Sequence, residues 1–182
     1  MRNTAFLGLG VALLILQGNL FVLHSALSSF HWFRALPWAT PSLLLPLVIF
    51  MGVHEYSIAR GAALAFILGY FLDVFAGAPV GLFTFITVAS FVVSRAAGVR
   101  LAAGTLITKV VLAFVFALVQ GVLVVVLTAI FGDDPARPRA LALLIAPHAI
   151  ATAICAPLVF QIAERIHVAT ITMPGPGDGG SR

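Results

Sequence analysis

The segment GYFLDVFAGAPVG, residues 69–81, contains one carboxylate, Asp73, among apolar and small residues. Apolar runs lie on both sides of the segment, from Ile58 up to it and from Pro79 onward. A carboxylate exposed to lipid costs several kcal/mol, so Asp73 should face protein or water. Two glycines and a proline after Asp73 favour a sharp reversal. The segment therefore predicts a tight hairpin of two apolar helices.

The composition extends this prediction to the whole chain of 182 residues. Hydrophobic residues make up 62% of it and charged residues 9%, whereas a soluble domain carries about 25% charged residues. An all-α, polytopic membrane protein is the class that fits. The single cysteine, Cys155, excludes an internal disulfide and a cysteine-based metal cluster. The basic residues are spread thinly, which argues against nucleic acid as a partner.

Six apolar runs predict six transmembrane helices in one membrane domain, residues 1–168, followed by a disordered Gly/Pro-rich tail, residues 169–182. The runs are Ala5–Leu23, Pro41–Val53, Ile58–Phe75, Pro79–Val93, Val110–Phe131 and Ala140–Ile162. A signal peptide is the alternative for the first run, but its length and the five later runs favour a retained helix.

Prolines disturb two of these runs. The second run would reach only about 20 Å as a helix, short of the ~30 Å hydrocarbon core. It is therefore expected to be short, tilted or re-entrant, with a kink at Pro46. The sixth run should bend at Pro147 and Pro157.

The basic residues predict that both termini lie in the cytoplasm. In that orientation the cytoplasmic segments hold Arg2, Arg60, Arg95, Arg100, Lys109, Arg165 and Arg182. The external segments hold only Arg34, Arg137 and Arg139. This excess of cytoplasmic cations is the usual signature of an N-in, C-in protein.

Small residues recur every four positions along the third run, so they share one face of a helix. These residues are Gly61, Ala65, Gly69, Asp73 and Gly77. Such a face lets another helix approach closely in lipid. It serves either packing inside the chain's own bundle or docking of a partner's helix, and the sequence leaves both open.

Asp73 is expected at the external end of this face, as a clamp for the hairpin turn that Pro79 and Gly81 complete. Its partners would be the free backbone amides at the start of the fourth helix, or Arg34. A proton or cation site and a catalytic role are the alternatives. The clamp is the reading that the neighbouring turn residues favour.

Two further polar residues, Gln120 and His148, are predicted within the membrane at similar depths on the fifth and sixth helices. Interhelical hydrogen bonding is the expected role of both. His54-Glu55 begins like a zinc motif, but position 58 is Ile. We find no nucleophile motif, phosphate loop or paired carboxylates. No catalytic, cofactor-binding or metal residue is therefore predicted, and we expect no enzyme.

The order of these features resembles the bacterial rod shape-determining protein MreD family. The resemblance is carried by LPWATPSLLLPLVIFMG, residues 36–52, and above all by RGAALAFILGYFLDVFAGAPVGLFTF, residues 60–85. The latter has a Gly-rich third helix, G-x-x-x-D at Gly69 and Asp73, a short turn and Gly81. From Gly98 onward the resemblance is generic, and the Pro/Gly tail departs from the family pattern.

This resemblance implies a non-enzymatic subunit of the cell-elongation machinery in the bacterial inner membrane. Its partners would be MreC, a single-span protein, the peptidoglycan polymerase and transpeptidase, and indirectly the actin-like MreB filament. It also implies a fold similar to the substrate-binding subunits of energy-coupling-factor vitamin transporters. The alternatives are a substrate-binding subunit of a small-molecule transporter, with a polar cavity near Asp73, Arg34 and His148, and an intramembrane enzyme.

Overall fold

The computed structural model describes residues 2–27, 41–54, 57–76, 80–98, 106–131 and 137–171. These residues form six α helices. They are α1 (Arg2–Leu27), α2 (Leu44–His54), α3 (Ile58–Ala76), α4 (Leu82–Gly98), α5 (Leu106–Phe131) and α6 (Arg137–Ile171). The predicted all-α class and the number of helices are confirmed.

Four of the described helices are long and apolar enough to cross a membrane. Their candidate spans are Asn3–Leu20, Ile58–Ala76, Ile107–Phe131 and Pro138–Thr170. The chain thus has the helices of a multi-pass membrane protein. The prediction of six spans is met in part, because α2 and α4 are apolar but shorter.

Several helix boundaries in the structure differ from those predicted from the sequence. α4 begins at Leu82 rather than at Pro79, which lies outside the described residues, and it continues to Gly98. α6 has 35 residues and contains Pro147 and Pro157 inside one uninterrupted helix. At 1.5 Å per residue it is about 52 Å long, well beyond the ~30 Å hydrocarbon core. It also passes the domain boundary expected at residue 168, and residues 172–182 are not described.

α2 forms the centre of the bundle. Its 11 residues, about 16 Å long, contact all five other helices. Every residue from Ser42 to Gly52 is buried. A helix that is apolar on all sides is suited to such a position. Pro46 lies in the first turn of α2, where a proline breaks no helical hydrogen bond, so the expected kink has no cause there.

Side-chain contacts divide the bundle into two ends. At the Asp73 end, α1 and α3 finish and α2 and α4 begin, with Gln17, Ser42 and Asp73 among its residues. At the His54 end, the start of α1 meets the last turns of α2 and α6. The helices therefore alternate in direction along the chain.

Candidate functional site

The Asp73 carboxylate caps the start of α4 from the neighbouring helix. Its Oδ1 accepts a hydrogen bond from the Phe83 N–H at 2.6 Å. Its Oδ2 accepts from the N–H groups of Gly81 (3.0 Å) and Thr84 (3.1 Å) and from the Thr84 hydroxyl (2.5 Å). The first amides of a helix have no partner within it and carry a partial positive charge. Asp73 satisfies them while only 2% exposed.

Gly81 supplies the backbone geometry that this cap needs. Its φ of +98° lies in the region that residues with a side chain rarely adopt. Its carbonyl accepts the first helical hydrogen bond of α4, from the Phe85 N–H at 2.9 Å. Of the partners proposed for Asp73, the backbone amides hold it, and Arg34 lies outside the described residues. Gly77 and Pro79 also lie outside them.

The small-residue face of α3 is occupied by this chain's own helices. Gly61, Ala65 and Gly69 are all buried. A Cβ placed on Gly69 would come within 2.7 Å of the Thr84 Cα and 3.1 Å of the Phe83 carbonyl oxygen. Backbone atoms of α4 thus fill the space beside Gly69. Of the two uses left open for this face, these contacts show packing inside the chain's own bundle at Gly69.

The start of α2 is held in a similar way, by side chains from two other helices. The Leu43 N–H donates to Gln17 Oε1 of α1, and the Ser42 N–H donates to Thr152 Oγ1 of α6, both at 3.0 Å. The Thr152 hydroxyl in turn donates to the His148 carbonyl at 2.8 Å. These bonds satisfy backbone amides that would otherwise be buried without partners. Sequence reasoning did not predict this role for Gln17 or Thr152.

A partly open cavity of about 390 Å³ lies at the Asp73 end, between α5, α6 and the central helices. Its polar lining consists of Gln17, Ser42, Gln120 and His148. The rest of the described lining is apolar and includes Leu72, which precedes Asp73 in the chain, and Phe83, whose N–H donates to Asp73. The structure therefore brings together the two intramembrane polar residues, Gln120 and His148, that the sequence placed at similar depths. Asp73 itself does not line the cavity.

Gln120 differs from the other buried polar side chains of the described residues. It is 8% exposed, and its Oε1 is buried without a hydrogen-bond partner among the residues that the structure describes. A buried polar atom left without a partner costs about 1–3 kcal/mol. It is therefore a position where an added donor would be stabilising.

Two histidines and two phenylalanines cluster at the His54 end. The imidazole of His54 stacks on Phe50 with ring centroids 4.2 Å apart, and His167 lies 5.6 Å from His54. Phe6 of α1 completes the cluster at 6.0 Å from Phe50. Within the described ranges, no three His, Cys, Asp or Glu residues come close enough to hold a metal ion. The cluster joins α1, α2 and α6, and sequence reasoning did not single it out.

The exposed faces of α1 and α5 differ in chemistry. Only 22% of each candidate span is buried, yet the mean hydropathy is 1.4 for Asn3–Leu20 and 3.0 for Ile107–Phe131. The exposed residues of α5 are almost all β-branched: Ile107, Val111, Val115, Val119, Val122, Val126 and Ile130. The exposed face of α1 combines Gly8, Ala12 and Asn19 with the apolar Ile15, Leu16 and Val22. It is therefore less uniformly apolar than the exposed face of α5.

Comparison with models of known protein families, with curated proteins and with solved structures finds no match.

Proposed function

We propose that this chain is a non-enzymatic subunit of the bacterial cell-elongation machinery that binds a single-span, MreC-like protein in the inner membrane. Through that partner it would help to organise the peptidoglycan polymerase and transpeptidase beside the MreB-type filament. The resemblance of residues 60–85 to the MreD family supports this proposal. The residues that carry it, Gly69, Asp73 and Gly81, form the interlocked α3–α4 hairpin.

The exposed face of α1 is the structural observation that carries the proposal. No atom lies within 4 Å of a Cβ placed on Gly8, so a partner's helix can approach the α1 backbone there. Asn19 is exposed on the same helix, and its Nδ2 donates to the Ile15 carbonyl. Small residues with a polar side chain are typical of helix–helix contacts in lipid. A second helix against α1 would cover a face that is less uniformly apolar than the exposed face of α5.

The proposed topology has six spans with both termini in the cytoplasm, where α2 and α4 are the short ones. Five basic residues of the described helices lie at the His54 end: Arg2, Arg60, Arg95, Lys109 and Arg165. Arg137 and Arg139 lie at the opposite end, in the first turn of α6. This asymmetry supports a cytoplasmic His54 end by the positive-inside rule.

Gly8→Leu tests the proposal, with Val115→Leu on α5 as the matched control. Both changes add a leucine at an exposed position. Gly8→Leu should fill the close approach on α1 and reduce recovery of the partner about tenfold, equivalent to ~1.4 kcal/mol. Val115→Leu should leave recovery unchanged. The readout is co-purification from bacterial membranes in mild detergent, with a thermal unfolding scan to show that both variants fold.

Two outcomes would contradict the proposal. Failure of the wild-type chain to recover any cell-wall synthase or single-span partner would remove its basis. Loss of the partner in Val115→Leu but not in Gly8→Leu would move the interface from α1 to α5.

The cavity favours a second candidate, a substrate-binding membrane subunit of a small-molecule transporter. A volume of about 390 Å³ with several converging polar groups has the size of a ligand pocket. Recovery of an ATPase module with a coupling subunit in the same co-purification would favour this candidate over the first.

A further inference from the structure

We infer that a water-filled vestibule enters the bundle from the Asp73 end. It reaches the turn between α3 and α4, well inside the membrane, and continues into the cavity of about 390 Å³ beside it. Such a vestibule admits water and small water-soluble molecules. It requires that the chain spans a membrane, but it requires no particular orientation, partner or cellular role.

The helices end at different heights at the Asp73 end. Ser42, Leu72 and Gln120 border one small gap in the bundle, so they lie at a common level. From that level α5 continues for about 16 Å to Phe131, whereas α3 continues for only about 6 Å to Ala76. α6, which is bonded to α2 at this level, extends about 20 Å beyond it. The end of α3 is therefore recessed by about 10 Å from the ends of α5 and α6.

The turn is held at this recessed height. The Gly81 N–H donates to Asp73 at 3.0 Å, so the start of α4 cannot rise to the ends of the longer helices. α4 measures about 20 Å from Leu82 to Arg95, one of the basic residues at the His54 end. Basic residues of this kind mark the membrane surface. The turn thus lies about 10 Å below the opposite surface of a ~30 Å hydrocarbon core.

The protein does not bury the turn. Val80 is 83% exposed, and Gly81 is exposed beside it. Irregular backbone does not occur in contact with lipid hydrocarbon, because its N–H and C=O groups would lack partners there. At this depth it is tolerated only where it is buried in protein or lines a water-filled space. Water must therefore reach the turn.

The cavity continues from the turn into the bundle. Ala76 at the end of α3 and Phe83 at the start of α4 both line it. A water molecule needs about 10–15 Å³ of such volume and polar groups to bond to. The volume of about 390 Å³ is far larger, and Gln17, Ser42 and His148 place polar side chains on its wall. Water at the turn can therefore continue between α5 and α6.

Thiol labelling of single-cysteine variants tests the vestibule in the full chain, purified without a partner in lipid nanodiscs. Cys155→Ala removes the native thiol from all of them. Val80→Cys places a thiol at the turn, and Val124→Cys places one on the cavity wall. The matched control is Val126→Cys, on the exposed β-branched face of α5.

The reagent is 2-sulfonatoethyl methanethiosulfonate, an anion that hydrocarbon excludes. The thiolate forms a mixed disulfide with it and releases methanesulfinate. Val80→Cys and Val124→Cys should react at least about a hundredfold faster than Val126→Cys, equivalent to ~2.8 kcal/mol. Depth alone predicts the opposite order within α5, because position 126 lies about 3 Å nearer to the Asp73-end surface than position 124. Thiol counts after unfolding in SDS show that every cysteine can react, and size-exclusion chromatography shows that the variants fold.

Three results would overturn the inference. The first is slow labelling of Val80→Cys, equal to that of Val126→Cys, which would mean that lipid covers the turn. The second is labelling of Val80→Cys but not of Val124→Cys, which would mean a dent in the bilayer without a vestibule. The third is equally fast labelling of Val124→Cys and Val126→Cys. Because no partner is present, these results are distinct from a failure of the α1 interface.

Discussion

Two buried polar side chains at the same end of the bundle, Asp73 and Gln120, have opposite surroundings. Both carboxylate oxygens of Asp73 accept hydrogen bonds, four in total, and α4 is packed against α3 with no space beside Gly69. Gln120 lines an open cavity and its Oε1 has no partner among the described residues. A fully satisfied polar group in a membrane protein holds helices together. An unsatisfied one holds no helix in place and leaves the cost of burying its acceptor uncompensated.

Gly69→Leu should reduce the stability of the protein most, because it disrupts the close packing of α3 against α4. The new side chain would meet backbone atoms of α4, at Thr84 Cα and the Phe83 carbonyl, and neither can rotate away. Overpacking against backbone typically costs 1–3 kcal/mol and sometimes more, and we expect about 3 kcal/mol. The measurement is thermal unfolding of the purified protein, followed by size-exclusion chromatography.

Gly8→Leu is the matched control for this loss of stability. No atom lies within 4 Å of a Cβ at Gly8, so the same replacement should leave the unfolding temperature near that of the wild type. Similar destabilisation in the two variants would mean that the α3–α4 contact is not the tight one.

Asp73→Asn should have an intermediate effect, about 2 kcal/mol of destabilisation. From the sequence alone this change would be mild, because an amide oxygen can still accept. The structure predicts a larger destabilisation, because one of the two carboxylate oxygens becomes an NH₂ group that faces an N–H donor. Hydrogen bonds to charged groups contribute about 1.5–3 kcal/mol. Thermal unfolding beside Thr84→Val, which removes only the hydroxyl donor, measures the difference, and equal effects of the two variants would contradict the cap.

Gln120→Leu should have the smallest effect on stability, with a change of less than about 1 kcal/mol and a tendency to stabilise. Leucine removes a buried acceptor that has no protein partner, and such a replacement is close to neutral. The free energy of unfolding is the quantity to measure. A loss as large as that of Asp73→Asn would show that Gln120 is part of the structure, and the comparison between the two residues would fail.

The helices and the α3–α4 hairpin could be predicted from the sequence because their signals are local. Apolar runs, the four-residue spacing from Gly61 to Asp73, and Gly81 after the turn all lie within short segments. These signals correctly indicated six helices. For Asp73 they left the amides of α4 and Arg34 as alternatives, of which the described residues show the amides. The boundaries of α4 and α6 were less accurate, because apolar runs do not report polar helix extensions such as Glu164–Ile171.

The cavity and the cap on α2 could not be predicted, because they depend on residues far apart in the chain. Ser42 bonds to Thr152 across 110 positions, and Leu43 bonds to Gln17 across 26. No periodicity connects such pairs. The sequence showed that Gln120 and His148 lie at similar depths, but only the packing of α5 against α6 shows the volume left between them.

The cap on α2 cannot be completed until the last helix has been made. Its two backbone donors require Gln17 from the first helix and Thr152 from the last. During synthesis the central helix therefore leaves the ribosome long before its second acceptor exists. Until Thr152 arrives, the Ser42 amide must keep a temporary partner, such as interfacial water, so the final seating of α2 can occur only after translation has reached α6.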